Sequence, residues 1–516
     1  MKNLRRAVTA LYVLMTAAVL WVVLTAHDTM TYIGRKNFLF QQNTILLIGS
    51  AALLALSMPA LRPDRQRIER FSGAAAKLLC WGALFVFQAF VSFHAYFLTT
   101  WDAGIVLSNA YYIGSGYAQY VDNAYYSVYP NNILITEIYA AMIRLFRMFA
   151  GDAGLDRCAY IIIVFQCALN TCTGAMLTGV ARDMTGSRRF ARLVGLVYIV
   201  FIGISPWVMI PYSDSMGLIV PVSLLYLNQL RRKARREWPV FAAMGAVAAC
   251  GFLIKPQTMI ALIAILIIEA MRVLSEKNWG NARNIAAALA IVLLGLGPVR
   301  GAIFSHSSIK IEPGHSVGMA HYLMMGLNEE TGGLYSREDT RFSSESDPEG
   351  RLQRQLETAK QRFVEMWPDR LLDHIRLKTV IDYADATFAW GEDGVFFANQ
   401  LEDKDALFSP FFKSILYSGR PRFRIFATWL QCLWLGLLAG SMLGVVFAHG
   451  AMRENPIQLD GLLTLLLTLI GLMLFELLFE ARARFLYTHA PLYLLAGVCG
   501  WRYLCAAVYS KIRRLR

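Results

Sequence analysis

The feature that most constrains this chain is the grouping of its apolar residues into blocks free of interior charge and separated by short polar connections. The blocks run to about 17 to 25 residues, the length at which an α-helix crosses a hydrocarbon core and satisfies its own backbone polar groups. They fall near residues 7–26, 42–61, 78–99, 158–181, 190–211, 215–230, 238–254, 256–273, 284–303, 425–448, 457–478 and 486–507. The pattern predicts an all-α polytopic membrane protein of about 12 spans. Composition agrees, because a soluble chain that is 56% hydrophobic and only 17% charged would have to leave much of that apolar surface in water.

The net charge of +14 raises nucleic acid as a partner, but the placement of the charge argues against it. Basic residues concentrate in Arg62 to Arg70, Arg182 to Arg192, Arg231 to Arg236 and Lys511 to Arg516, all in connections or at the chain end. Translocation retains positive loops in the cytoplasm, so these stretches read as topology signals that put both termini inside. The N-terminal block follows Lys2, Arg5 and Arg6 in the manner of a signal peptide, yet without a clear small-residue cleavage site, and it is read as an anchor. Eight cysteines, mostly within apolar blocks and without a CxxC pair, point to neither a zinc site nor a disulfide framework.

Two stretches break the rhythm. Segment 131–150 is apolar but carries Glu137, Arg144 and Arg147 at near-helical spacing, and is expected to lie on the outer surface. If it crossed, the basic run after residue 181 would face outward, against the charge rule. Residues 305–423 contain no span and read as a small, mainly helical extracellular region. The expected organisation is therefore 1–304 as an N-terminal transmembrane module with an outer loop at 100–156, then 305–423, then 424–516 as C-terminal transmembrane helices.

This topology gathers polar groups from distant positions at one membrane boundary. Asp102 follows a span in TTWDAG; Tyr129, Pro130, Asn131 and Asn132 open the surface helix; Asp214 lies in IPYSDS; Lys255 and Pro256 mark another junction. Later come Arg300, His321 and Asn328 in HYLMMGLN, and Glu480, Arg482, Arg484 and His489 in EARARFLYTHAP. Each has a plain structural alternative: Asp102 as a solvated helix end, Asp214 as a cap, Lys255 snorkelling, the arginines pairing with Glu476 or Glu480, the histidines hydrogen-bonded in place. Together they combine carboxylates able to deprotonate a hydroxyl, cations able to hold phosphate, and amides and aromatics suited to sugars.

In their order and sidedness these strings resemble the GT-C superfamily of polytopic glycosyltransferases, especially bacterial relatives of protein O-mannosyltransferases and aminoarabinose transferases. The YPNN, MGLN and EARAR strings look like those of Gram-positive members that decorate cell-wall polymers. The resemblance covers most of the chain and implies a GT-C-like bundle in a bacterial plasma membrane with an extracellular active site. It further implies inverting transfer of a sugar from a polyprenyl-phosphate donor to a cell-envelope polymer, lipid or protein acceptor. On this chain the first-loop base maps to Asp102, with Asp122 as an alternative and Asp214 assisting. Lys255, Arg300, Arg482 and Arg484 map to donor phosphate contacts, and Tyr129, Asn131, Asn132, His321, Asn328 and His489 to substrate contacts. The chain departs from the pattern in having two spans before the loop and Ala103 where a second acid is common, which leaves a divalent metal ion open; no other cofactor is implied. Region 305–423 is then expected to act as a lid or acceptor-binding part. A transporter or lipid-linked-sugar flippase, and a non-catalytic wall-assembly scaffold, are the competing readings.

Overall fold

The computed structural model describes residues 2–25, 42–61, 73–277, 279–345, 347–391, 399–451 and 456–515. The basic stretch 62–70 lies outside the described residues. Among those described, nine helices are long and apolar enough to cross a membrane: Asn3–Thr25, Gln42–Leu61, Ala74–Ala95, Leu155–Thr185, Pro256–Glu276, Trp279–His306, Phe423–Ala448, Leu459–Leu478 and Ala490–Ile512. The chain is thus a mostly helical, multi-pass integral membrane protein. The sole sheet among the described residues is a two-residue antiparallel ladder, Phe97 opposite Gln400 and Leu98 opposite Asn399.

Three expected spans are shorter or broken. Block 190–211 divides into the helix Arg188–Tyr198, a π-turn at Ile199–Gly203 and a 3-10 turn at Pro206–Met209. Pro206 supplies no backbone N–H and disfavours helical geometry at Ser205, which is extended. Block 215–230 becomes Ser213–Gly217 followed by Ile219–Leu230, and Trp238–Ile254 is apolar but only 17 residues long.

Close packing of the last helices rests on glycine. A Cβ on Gly444 would lie 1.9 Å from the Gly500 carbonyl oxygen, and one on Gly500 would lie 1.9 Å from that of Gly440. Only the missing side chains let Phe423–Ala451 and Ala490–Leu515 approach backbone to backbone, the device by which membrane helices gain dispersion contact.

The helix Ile133–Ala150 is not among the nine. It buries Ile135, Tyr139 and Ile143 against the helix Asp102–Gly114 and leaves Arg144, Leu145, Met148 and Phe149 exposed. A Cβ on Gly114 would meet the Ala140 carbonyl oxygen at 2.7 Å, so the two helices form one layer.

Region 305–423 is largely helical, with Gly318–Gly326, Arg337–Glu345, Arg351–Met366, Asp369–Tyr383 and Phe408–Leu416. It does not stay wholly outside the bundle as expected. Residues 378–390 are continuously buried among the membrane helices. Trp434 Nε1 donates to the Tyr383 carbonyl at 2.9 Å, Trp207 Nε1 to the Thr387 carbonyl at 3.0 Å, and the Tyr383 and Tyr493 hydroxyls meet at 3.0 Å. The Asp385 carboxylate accepts the Thr387 and Ala389 amides and so closes a turn in which Phe388 and Ala389 have φ of 55° and 63°. Non-helical backbone at such depth is tolerated because protein groups satisfy it.

Connectivity defines two ends. Ile219–Leu230 runs from Asp214 to Arg231, Trp238–Ile254 returns from Glu237 to Lys255, Ile260–Glu276 runs back to Arg272, and Pro456–Leu478 runs from Asp460 to Glu476. Asp214, Lys255 and Glu476 therefore share one end of the bundle, and Arg231, Arg272 and Asp460 the other.

Candidate active site

At the first end, four interruptions of helix bring functional side chains together. Trp101 (φ −87°, ψ −162°) precedes Asp102 at a helix start. Tyr212 (−152°, 176°), Lys255 (−155°, 106°) and Arg482 (−164°, 121°) are likewise extended. Lys255 is extended because Pro256 follows it, and its amide still bonds the Gly251 carbonyl at 2.7 Å. The break turns the side chain inward instead of letting it continue the helix surface.

Lys255 Nζ donates to Asp214 Oδ1, with both residues buried. The ammonium also lies 4.7 Å from the Phe485 ring centroid. A Cβ on Gly217 would touch Thr488, Thr258 and Lys255 at 3.3, 3.5 and 3.6 Å, so the short helix Ser213–Gly217 sits directly on the Lys255 and Thr488 turns. Asp214 Oδ2 and His489 Nε2 are buried without a hydrogen-bond partner among the described residues, while His489 Nδ1 meets Thr488 Oγ1 at 2.9 Å. Lys255, expected as a phosphate contact, thus has its charge matched by Asp214, since a charge so far from water needs a partner.

Beside this pair lies a more open group. The Arg484 guanidinium stacks 4.2 Å above the Trp101 ring centroid, and Trp101 packs edge-on against Tyr212 at 5.1 Å. Asn132 Nδ2 donates to the Tyr125 hydroxyl at 2.6 Å, Asn131 Nδ2 to Asn132 Oδ1 at 3.3 Å, and the Tyr212 hydroxyl to Asn132 Oδ1 at 3.5 Å. Burial, then Tyr212 and Asp102, push the Tyr125 phenol well above its ordinary range, so it remains a hydrogen-bond donor facing the Asp102 carboxylate. Burial raises Glu480 against the pull of Arg484 and Arg482, with Asp102 adding to the rise. Tyr129 is raised by burial and then by Tyr335, with Asp102 and Glu480 contributing, which brings the 305–423 region to the same place. Asp102, Arg482 and Arg484 are partly exposed.

Other expected site residues lie elsewhere or are already engaged. Asp122 caps the helix Asn123–Val128, its Oδ1 accepting the Tyr125 amide at 3.0 Å, which is why it stays beside its own loop. Arg300 is exposed on its helix with its guanidinium 4.9 Å from the Phe304 ring centroid. Asn328 holds the MGLNEETGG turn together, accepting the Glu330 amide at 3.1 Å and donating to Asp339 at 2.9 Å. His321 is buried against Ser343 Oγ at 2.9 Å, and burial pushes it down to about 4, so the ring is neutral.

From the sequence, Glu476 was expected only as a partner for Arg482 and Arg484, and Lys378 was not foreseen. Glu476 is 1% exposed near the end of its span, and neither carboxyl oxygen has a hydrogen-bond partner among the described residues. An acid inside the apolar run LMLFELLFE was the available signal. Lys378 gave none. Its Nζ donates to the Gly326 and Leu477 carbonyls, both at 3.0 Å, and the Ala481 amide donates to the Gly333 carbonyl at 2.8 Å, so the 305–423 region clasps the start of the EARAR string.

Among the described residues, no three His, Cys, Asp or Glu side chains converge as a metal ion would require. The donor set at this end is instead carboxylates faced by Lys255, Arg482 and Arg484, an arrangement suited to an anionic substrate. A family model described as a conserved hypothetical integral membrane protein matches residues 1–504. No curated protein and no solved structure matches the chain.

Proposed function

The chain belongs to the family of conserved hypothetical integral membrane proteins, and we propose that it acts within that family as a glycosyltransferase of GT-C type, moving a sugar from a polyprenyl-phosphate donor to a cell-envelope acceptor. The observation that carries this reading is the Arg484 guanidinium stacked over Trp101, the residue before Asp102, with Tyr125, Asn132 and Tyr212 grouped beside them. It supplies a carboxylate base, a cation for phosphate and aromatic and amide surfaces for a sugar at headgroup depth.

In the proposed reaction the acceptor hydroxyl gives its proton to Asp102 as its oxygen attacks the anomeric carbon. The bond from that carbon to the phosphate oxygen breaks on the opposite face, and polyprenyl phosphate leaves with the bonding electrons. Arg484 and Arg482 stabilise the charge growing on the phosphate. The Asp214–Lys255 pair packs against Phe485 and the Thr488 turn, so its role is to position the arginines. No step passes through a metal ion.

Counting 190–211, 215–230 and Trp238–Ile254 as crossings brings the bundle to twelve and both termini to the basic, cytoplasmic face. The Asp102 group then faces outward in a bacterial plasma membrane. The test is transfer from a polyprenyl-phosphate sugar in membranes containing Asp102→Asn. A loss of about 10²- to 10⁴-fold is expected for removal of a general base, and wild-type turnover by correctly inserted variant would sink the assignment.

A further inference from the structure

At the end of the bundle away from Asp102, three guanidiniums converge on one carboxylate. Arg5 from the first helix lies 3.6 Å from Asp460 Oδ1; Arg232, from the turn Arg231–Lys233, lies 3.9 Å from Oδ2; Arg272 lies 2.5 Å from Oδ2. The other nearby carboxylates are taken. Arg231 pairs with Glu237 at 2.8 Å and Glu269 at 3.4 Å, Arg272 also reaches Glu269 at 3.0 Å, and Asn284 donates to Glu269 at 3.1 Å. Among the described residues, four guanidiniums thus face the three carboxylates Glu237, Glu269 and Asp460 in this linked set.

The cluster is partly withdrawn from water, with Arg5 24%, Arg232 13% and Arg272 17% exposed. Arg5 Nε is buried and makes no hydrogen bond among the described residues. Burial, then Arg231, push the Arg232 guanidinium down to about 10 even with Asp460 beside it. A guanidinium fork matches a phosphate in two parallel hydrogen bonds. Gaps between membrane helices lined by such groups at a leaflet surface suit an anionic headgroup.

We propose that Arg5, Arg232 and Arg272 form a phosphate-binding site around Asp460, separate from the Asp102 group. The site takes a phosphodiester or phosphate anion and ties together the first helix, the 231–233 turn, Ile260–Glu276 and Pro456–Leu478. It is independent of the transferase reading.

The test uses the full chain purified in a neutral detergent, with native mass spectrometry and thermal melting in phosphatidylglycerol, phosphatidylcholine or inorganic phosphate. Phosphatidylglycerol is expected to be retained and to raise the melting temperature, with phosphatidylcholine inert. A rise in inorganic phosphate alone would also support the site and identify a free anion as its occupant. Arg5→Gln with Arg232→Gln is expected to weaken retention at least about tenfold, the scale of a lost charged hydrogen bond. Lys233→Gln removes the same charge from the same end but at an exposed pair with Asp183, and is expected to keep it. Asp460→Asn retains the three arginines, so it is expected to bind phosphatidylglycerol more tightly, which also covers failure of the double variant to fold. Equal retention by wild type and double variant, or no gain in Asp460→Asn, overturns the proposal.

Discussion

The Arg484 guanidinium lies 4.2 Å above the Trp101 ring, so the start of the helix that carries Asp102 is locked to a turn from the far end of the chain. A cation over indole gains about 0.5 to 2 kcal/mol, and a planar guanidinium can lie flat on the ring. Lysine can hold the charge but not this geometry. Arg484→Lys is therefore expected to slow sugar transfer by about tenfold or more, with a rise in KM for the polyprenyl-phosphate donor, and Arg484→Gln to slow it further. Equal kinetics for Arg484→Lys and wild type would remove the stack from the site.

The buried pair of Lys255 and Asp214 gives a stability prediction. Lys255→Met leaves the Asp214 carboxylate without its cation in a fully buried position, a situation that costs about 3–5 kcal/mol. Asp214→Asn combined with Lys255→Met removes both charges and is expected to recover much of that loss in a melting curve. A double variant as unstable as the sum of its parts would show the two residues to be uncoupled.

Gly326 tests how the 305–423 region is seated. A Cβ there would lie 2.5 Å from the Leu478 carbonyl oxygen and from Phe479, so the helix Gly318–Gly326 must back away from the end of its neighbour. Gly326→Ala is expected to cost about 1–3 kcal/mol and to speed proteolysis within 318–366, with the membrane helices still inserted. Unchanged proteolysis would mean that the contact can relax freely.

His321 sets a pH dependence. Its folded value is pushed from 6.5 down to about 4 by burial, so folding favours the neutral ring. That contribution is whole above pH 6.5 and is lost as pH falls through about 4. Melting temperature is expected to fall across this window in wild type and to fall less in His321→Gln. Parallel curves would exclude His321 as a source of acid sensitivity.

The residues divide by whether their partners are local. The amphipathic character of Ile133–Ala150 and the junction at Pro256 follow from short-range pattern and backbone chemistry and were legible, whereas Pro206 breaks a block expected to span without interruption. Also legible was the convergence of Asp102, Asn132, Asp214, Lys255 and the EARAR string on one end, because span count alternates sides. Arg300 has the same sequence setting and yet lies exposed beside Phe304, since alternation fixes an end of the bundle and not a position around it. The insertion of 378–390 was invisible because its polar groups are satisfied by Gln431, Trp434 and Trp207, partners that no local pattern announces.

The sequence by itself determined that this chain enters a membrane many times as helices and which residues stand at the ends of those helices, because hydrocarbon accepts only self-satisfied, apolar segments of sufficient length. Tertiary structure alone decided which charges are matched: Lys255 with Asp214, Arg484 over Trp101, and three arginines around Asp460. Such pairings depend on how helices pack around one another. Packing in lipid is selected by close-range shape and hydrogen bonding, to which residues far apart in the chain contribute jointly.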